Sequence, residues 1–215
     1  MKFKDNFFRN FLKEAPLPLS IERALECQIL SKQEFKHPIL DIGCGDGRFT
    51  LRMASHFQQI IGIDTSKERL RLAQAEQQAQ EQENVRFEMQ NARRTTFAQN
   101  TFDVLYNRRG PTYYHEFSRI TRPKGYFVMI GIGEKDTWDL KQIFGRGQGF
   151  WKWKTTALDQ ATEKLMQEGF IRTFGQSFLY DEYYASYQDL DIFLQVFPSL
   201  KTLILRRIGN FLKGM

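Results

Sequence analysis

Between residues 37 and 132 the apolar positions switch repeatedly between short continuous runs and helical spacing. His37-Pro38-Ile39-Leu40-Asp41-Ile42 reads as a buried strand that runs into glycines, and Arg48–Phe57 follows with Phe49, Met53 and Phe57 at helical intervals. Ile60-Ile61-Gly62-Ile63 forms the second strand. Ser66 then caps a long polar helix from Lys67 to about Glu83, with Leu70, Leu72 and Ala73 as its narrow apolar stripe. Val85–Met89 and Phe102–Tyr106 are the third and fourth strands. Pro111 is expected to open a helix through Ile120, because a first turn needs no amide donor there. Lys124-Gly125 turns into a fifth strand, Tyr126–Ile132. Thr156–Glu168 is amphipathic and stopped by Gly169, and Phe170–Tyr184 reads as one or two closing strands. Strand and helix signals in this alternation predict an α/β fold, a doubly wound, mostly parallel sheet with helices on both faces.

Composition narrows this picture. The chain has 215 residues, 41% hydrophobic and 26% charged, enough for one domain with a real core and unlike a disordered chain. No apolar run approaches a membrane span, and the N-terminus has no signal-peptide pattern. Cys27 and Cys44, with histidines only at 37, 56 and 115, are too few and too scattered for a disulfide framework or a zinc site. The expectation is a cytoplasmic chain without a metal. Its formal charge of +6 sits at the two ends: residues 1–13 carry +3 and residues 201–215 carry +4, so the body is close to neutral. That disfavours a general nucleic-acid binder, whose core should present a positive face.

The densest chemical signal is Asp41-Ile42-Gly43-Cys44-Gly45-Asp46-Gly47, between a strand and a helix. Such a turn lets a ligand approach the main chain where a Cβ would clash. Arg48 stands where a dinucleotide loop wants its third glycine, and Asp41, Asp46 and Asp64 make poor surroundings for a phosphate. Acidic surroundings suit a cation. Asp64 ends the second strand, placed to accept both hydroxyls of a ribose. At the end of the third strand, Asn91 offers an amide that can pair with an adenine edge.

Four stretches together resemble the class I S-adenosylmethionine-dependent methyltransferases. They are Ile39-Leu40-Asp41-Ile42-Gly43-Cys44-Gly45-Asp46-Gly47, Gly62-Ile63-Asp64, Asn100-Thr101-Phe102-Asp103-Val104-Leu105, and Ile120-Thr121-Arg122-Pro123-Lys124-Gly125-Tyr126-Phe127. The resemblance spans about residues 35–132 and implies a seven-stranded Rossmann-like sheet. It implies S-adenosyl-L-methionine as cofactor, with S-adenosyl-L-homocysteine as product. By position, Asp41, Gly43 and Gly45 would line the methionine and ribose end, Asp64 the ribose hydroxyls and Asn91 the adenine. Cys44, Thr65, Ala92 and Asn107 join the expected cofactor set. Gln90-Asn91-Ala92 stands where many relatives have Gly-Asp-Ala; the amide can still pair with adenine, though without the charge. The expected organisation is one domain over 1–215: a helical cap (1–34), a cofactor-binding half (35–132), substrate-side elements (133–199) and a basic amphipathic tail (200–215).

Ligands of such sheets lie beyond the strand C-termini, so the substrate side should follow the fourth strand. Tyr106 to His115 lacks the motifs of adenine-amino and cytosine-C5 methylation, but carries Arg108 and Arg109. An arginine beside a sulfonium needs an intervening anion, so the pair reads as a clamp for a carboxylate or phosphate. The bland reading turns one of them towards Glu116 or Asp103. His115 is the candidate base, or equally a surface or packing histidine, and Tyr113 and Tyr114 stand beside it. Phe144 to Lys154, with three glycines and alternating Trp151-Lys152-Trp153-Lys154, could be a lid, a base-stacking platform or a loop packed on the sheet edge. The basic amphipathic ends dock on their own domain or lie on an anionic membrane.

Three functions fit these features: a methyltransferase for an anionic small-molecule or lipid-linked acceptor, an rRNA or tRNA methyltransferase, and a non-catalytic cofactor-binding or membrane-associated protein. The arginine pair and the near-neutral body favour the first.

Overall fold

The computed structural model describes residues 28–30, 35–145, 147, 150–179 and 185–189. The N-terminal cap before Gln28, the rest of the cap through Glu34, and the basic tail lie outside these residues. The described residues fall into two compact units, one running through Ile132 and including Ala157–Gln176, the other containing Gly133–Thr156 and the chain from Ser177 onward.

The first unit holds a five-stranded sheet in the order β3-β2-β1-β4-β5, every pair parallel. Its strands are β1 (Ile39–Ile42), β2 (Ile60–Asp64), β3 (Val85–Met89), β4 (Phe102–Arg108) and β5 (Thr121–Ile130). Helix α1 (Arg48–Met53) continues into a 3₁₀ turn at Ala54–His56; α2 (Lys67–Ala79) and α3 (Tyr114–Ile120) make the other crossovers. The chain winds outward through β1, β2 and β3, then returns to place β4 on the other side of β1. In doubly wound sheets such a reversal marks where ligands bind, here at the C-terminal ends of β1 and β4.

The period-two pattern of the strands separates two cores. On one face Ile39, Ile60, Val104 and Tyr106 pack with Phe49 and Met53 of α1 and with Ile29. On the other, Leu40, Ile42, Ile61, Ile63 and Leu105 pack with Phe117 and Ile120 of α3 and with Ala92. Leu70 and Ala73 of α2 meet Leu51, Val85 and Phe87 in a third cluster. Helices therefore cover both faces, as expected of a doubly wound sheet. Ser66 caps α2 as predicted, its hydroxyl accepting the Arg69 amide at 3.3 Å.

Several boundaries differ from expectation. The helix placed at Pro111 starts only at Tyr114, because the Asn107 side chain holds residues 107–111 as a turn. Strand β5 starts five residues early, at Thr121, and accommodates Pro123 and a left-handed Lys124 (φ 67°) through a register shift opposite Phe102–Val104. The sheet has five strands among the described residues rather than seven. Residues 170–179 form no strand, and Ile171 and Leu179 are exposed; residues 180–184 of that expectation lie outside the described residues.

The second unit contains α4 (Trp138–Phe144), a helix the periodicity did not suggest. Gly145 closes it in the left-handed region (φ 64°). Back in the first unit, helix α5 (Ala157–Gln167) is amphipathic as read, and Ser118 on α3 donates to the Glu168 carbonyl just beyond its end.

Candidate active site at the strand ends

The loop from Gly43 to Gly47 leaves β1 at the topological reversal. The Gly43 and Cys44 amides both donate to the Ile63 carbonyl, at 2.8 and 3.0 Å, which pins the loop against the end of β2. Gly43, Gly45 and Gly47 all have left-handed φ (74°, 60° and 75°), yet they serve different ends. A Cβ on Gly45 would meet only the end of the Arg69 side chain, at 3.8 Å, an ordinary contact that crowds nothing. A Cβ on Gly47 would stand 2.5 Å from Phe87 Cζ and 2.8 Å from Ala73 Cβ. Gly47 is thus a packing glycine joining α1, α2 and β3.

Asp64 is fixed by the same loop. Its two carboxylate oxygens accept the Gly45 amide at 2.9 Å and the Ser66 amide at 2.8 Å. One backbone donor per oxygen orients the carboxylate and leaves each oxygen a second lone pair. That is the acceptor set a vicinal diol requires. Thr65, beside it, is exposed.

Asp41 is the most perturbed carboxylate of the site. It is 2% exposed, accepts a hydrogen bond from Thr50 Oγ1 at 2.6 Å, and faces Tyr106 of the adjacent strand in register. Burial raises its pKa from 3.8 to about 6, against the lowering effects of Arg108, Thr50 and Tyr106. The Tyr106 hydroxyl lies in the electrostatic field of Asp41 yet, buried, makes no hydrogen bond of good geometry, and burial pushes its own pKa well up. Cys44 is a buried free thiol whose pKa is also raised, first by burial and then by Asp41 and Asp64. It is a packing residue, not a nucleophile.

Arg108 ends β4, one residue beyond the Ile42–Asn107 pair, and its guanidinium stacks 4.1 Å from the Phe49 ring centroid. Arg109 follows with φ 56°, and its amide donates to the Ile130 carbonyl at 2.8 Å. The two arginines therefore emerge at the strand ends beside the glycine loop. Asn107 is fully buried, donating to the Pro111 carbonyl at 2.6 Å and accepting the Gly110 amide at 2.9 Å. Both polar ends of this side chain shape the β4–α3 turn. A Cβ on Gly43 would meet Pro111 Cδ at 3.4 Å, so this turn lies directly on the glycine loop.

Asn91 is exposed and closes an Asx turn, its Oδ1 accepting the Arg93 amide at 2.9 Å, with the amide NH2 left available. Ala92 belongs to the core, so only its backbone could meet a ligand. A network unmarked in the sequence holds this loop. Glu116 on α3 accepts from the Thr95 amide and hydroxyl, at 2.8 and 2.6 Å, and pairs with Arg119 at 2.6 Å. Those hydrogen bonds, Arg119 first, outweigh burial and hold the Glu116 pKa down at about 2. Gln90 adds a second tie, accepting from the Thr96 amide at 2.8 Å.

His115 is not gathered with these groups. Its side chain is 88% exposed and its Nδ1 lies 3.0 Å from Glu168 Oε2, at the end of α5. With Arg93, Tyr113 and Lys164 it lines an open cleft of about 410 Å³. No cluster of three or more metal-ligating side chains occurs among the described residues.

Residues 34–170 match a family model described as a methyltransferase domain. Among curated proteins, the chain is 29% identical over 102 residues to the uncharacterized methyltransferase YcgJ of Bacillus subtilis, covering 44% of this chain and 40% of that protein. It is also 29% identical over 116 residues to a demethylmenaquinone methyltransferase of Lactococcus lactis, covering 49% of this chain and 46% of that protein. The chain thus spans less than half the length of these relatives. A solved phosphoethanolamine N-methyltransferase 2 of Haemonchus contortus superposes with a TM-score of 0.58 at 23% identity, over 73% of this chain and 38% of that one. A further structure, a sarcosine dimethylglycine methyltransferase homologue from Galdieria sulphuraria, gives 0.55 at 16% identity over 70% and 61%, the same fold. The family model covers well over half of the sequence and all five strands of the sheet, and the chain belongs to this methyltransferase-domain family, the class I S-adenosylmethionine-dependent methyltransferases.

Proposed function

We propose that the protein transfers a methyl group from S-adenosylmethionine to an anionic small-molecule or lipid-linked acceptor. The crevice fits the cofactor by its own chemistry. Asp64 presents two oriented oxygens with free lone pairs, suited to ribose hydroxyls. Gly43 and Gly45 keep side chains out of the approach, and Asp41 gives the loop a negative field suited to a sulfonium and an ammonium, whereas Asp46 is paired with Arg48 at 2.8 Å. Asn91 would meet the adenine edge through its remaining amide donors. When bound, the cofactor supplies an electrophilic methyl for in-line displacement.

The chain's own contribution is placement and charge. Asp41 holds negative charge beneath the loop above pH 6, and Thr50 fixes its orientation. Arg108 and Arg109 stand at the neighbouring strand end, where an acceptor anion would lie between them and the cofactor's positive charge. Orientation and exclusion of water supply most of the acceleration for such a displacement. The observation that carries this reading is the placement of the Asp64 acceptor at the end of β2 and of the arginine pair at the end of β4, on either side of β1 and its glycine loop.

The test is calorimetric titration of the wild type and Asp64→Asn with S-adenosylmethionine, followed by methyl transfer to a panel of carboxylate- and phosphate-bearing acceptors. Micromolar binding, about −8 kcal/mol, that weakens at least tenfold in Asp64→Asn is expected. Arg108→Met should then raise the acceptor KM with little change in cofactor affinity. A folded wild type that binds no cofactor would overturn the reading.

A further inference from the structure

The second unit carries a surface that is at once aromatic, exposed and basic. Trp138 on α4, Phe150 and Trp151 form a mutual aromatic cluster, with Trp138–Trp151 ring centroids 5.2 Å apart and Phe150–Trp151 5.4 Å apart. Trp151 is nevertheless 74% exposed, and it occupies the left-handed region at φ 56°, strained for a bulky residue. The cluster holds this indole outward instead of burying it. The turn folds back on α4 through Lys141, whose buried stem fills the space beside Gly147 and whose Nζ lies 3.8 Å from Asp136. Trp153 (40% exposed) and Ile143 (70% exposed) are further apolar groups at the same short helix and turn. Lys152 and Lys154 alternate with the two tryptophans, and both are exposed. Across residues 133–156 five cations stand against three anions.

We infer that this Trp–Lys turn is a docking surface for an anionic lipid bilayer. Indoles favour the headgroup region, where one edge is apolar and the N–H is wet. Lysines beside them meet the negative surface potential, and an exposed aliphatic such as Ile143 gains by entering hydrocarbon. A base-stacking platform would use the indoles and lysines but gives Ile143 nothing to do. The charge of the patch sets the partner: a neutral bilayer would satisfy the rings and leave Lys152 and Lys154 without anions. This turn is distinct in sequence from the basic chain ends, and the inference does not depend on which acceptor is methylated.

The full chain is tested by co-sedimentation with phosphatidylcholine vesicles containing about 30% phosphatidylglycerol, alongside pure phosphatidylcholine vesicles and single-stranded RNA. Binding to the anionic vesicles with a blue shift of tryptophan emission is expected, weakened at high salt. Lys152→Glu combined with Lys154→Glu alters only exposed positions and should lower the affinity at least tenfold. Trp151→Asn, whose new residue tolerates the left-handed backbone, should lower it similarly and reduce the blue shift. Vesicle binding unchanged in both variants, no vesicle binding by the wild type, or tighter patch-dependent binding to RNA than to vesicles would each overturn the inference.

Discussion

Asp41→Asn should make the protein more stable at pH 8 while impairing cofactor binding. Folded Asp41 keeps its proton up to about pH 6, whereas in the unfolded chain it ionises near 3.8. Between those values the folded state binds more protons, so stability falls as pH rises through the window. Above pH 6 the full cost of the buried charge is present. A shift of about two units corresponds to about 3 kcal/mol. Asparagine removes the charge while its Oδ1 still accepts from Thr50, and its new NH2 has the unpaired Tyr106 hydroxyl as an acceptor. The expected gain is about 2–3 kcal/mol at pH 8, about 4–12 °C in Tm for a chain of this size. At pH 3.5, where wild-type Asp41 is largely neutral in both states, the difference should shrink towards zero. Urea denaturation at the two pH values measures both numbers, and titration with S-adenosylmethionine at pH 8 should show at least a tenfold loss of affinity. A variant less stable than wild type at pH 8, or an equal gain at both pH values, would refute the argument that burial of the charge dominates.

Glu116→Gln should cost about 2 kcal/mol at pH 7, the attraction being weakened because Arg119 is a third exposed. Since the Glu116 pKa is depressed to about 2, that stabilisation is present above the unfolded value of 4.5 and disappears as pH falls through 2, which acid titration of the variant and wild type can follow. Gly47→Ala should destabilise by about 3 kcal/mol, from left-handed strain plus overpacking against Phe87, whereas Gly45→Ala should cost only about 1 kcal/mol; chemical denaturation of the pair separates the packing glycine from the open one. His115→Gln should change kcat less than threefold, because the ring is exposed and held by Glu168; a hundredfold loss with an altered pH profile would restore it as a base.

The legible parts of this fold are those whose cause is local. Strands β1 and β2 read correctly because each is a short apolar run, β3 because Val85, Phe87 and Met89 alternate with charged residues, and Ser66 because a cap acts on an amide three residues away. Errors arise where distant residues decide. Pro111 looked like a helix start, but the Asn107 amide captures its carbonyl and Gly110 first. Residues 170–179 had strand-like composition, but no strand pairs with them there. Helix α4 is only seven residues long, too short for its periodicity to stand out among glycines.

The candidate site divides in the same way. Asp64 could be singled out because it closes a strand, and the structure adds the two backbone donors that aim it. Asp41 could be found as a residue but not as an environment. Thr50 is nine residues away along α1, and Tyr106 becomes its neighbour only through the β1–β4 register. Those neighbours, with burial, turn an ordinary aspartate into one that ionises near pH 6. This gives the acid at the base of the loop a consequence that its position alone does not. Cation binding must favour its charged form, so cofactor affinity should depend on pH around 6 and weaken as Asp41 takes up a proton. On the proposed reading a bound cation would offset the cost of burying the Asp41 charge, so that one carboxylate would couple stability to cofactor binding.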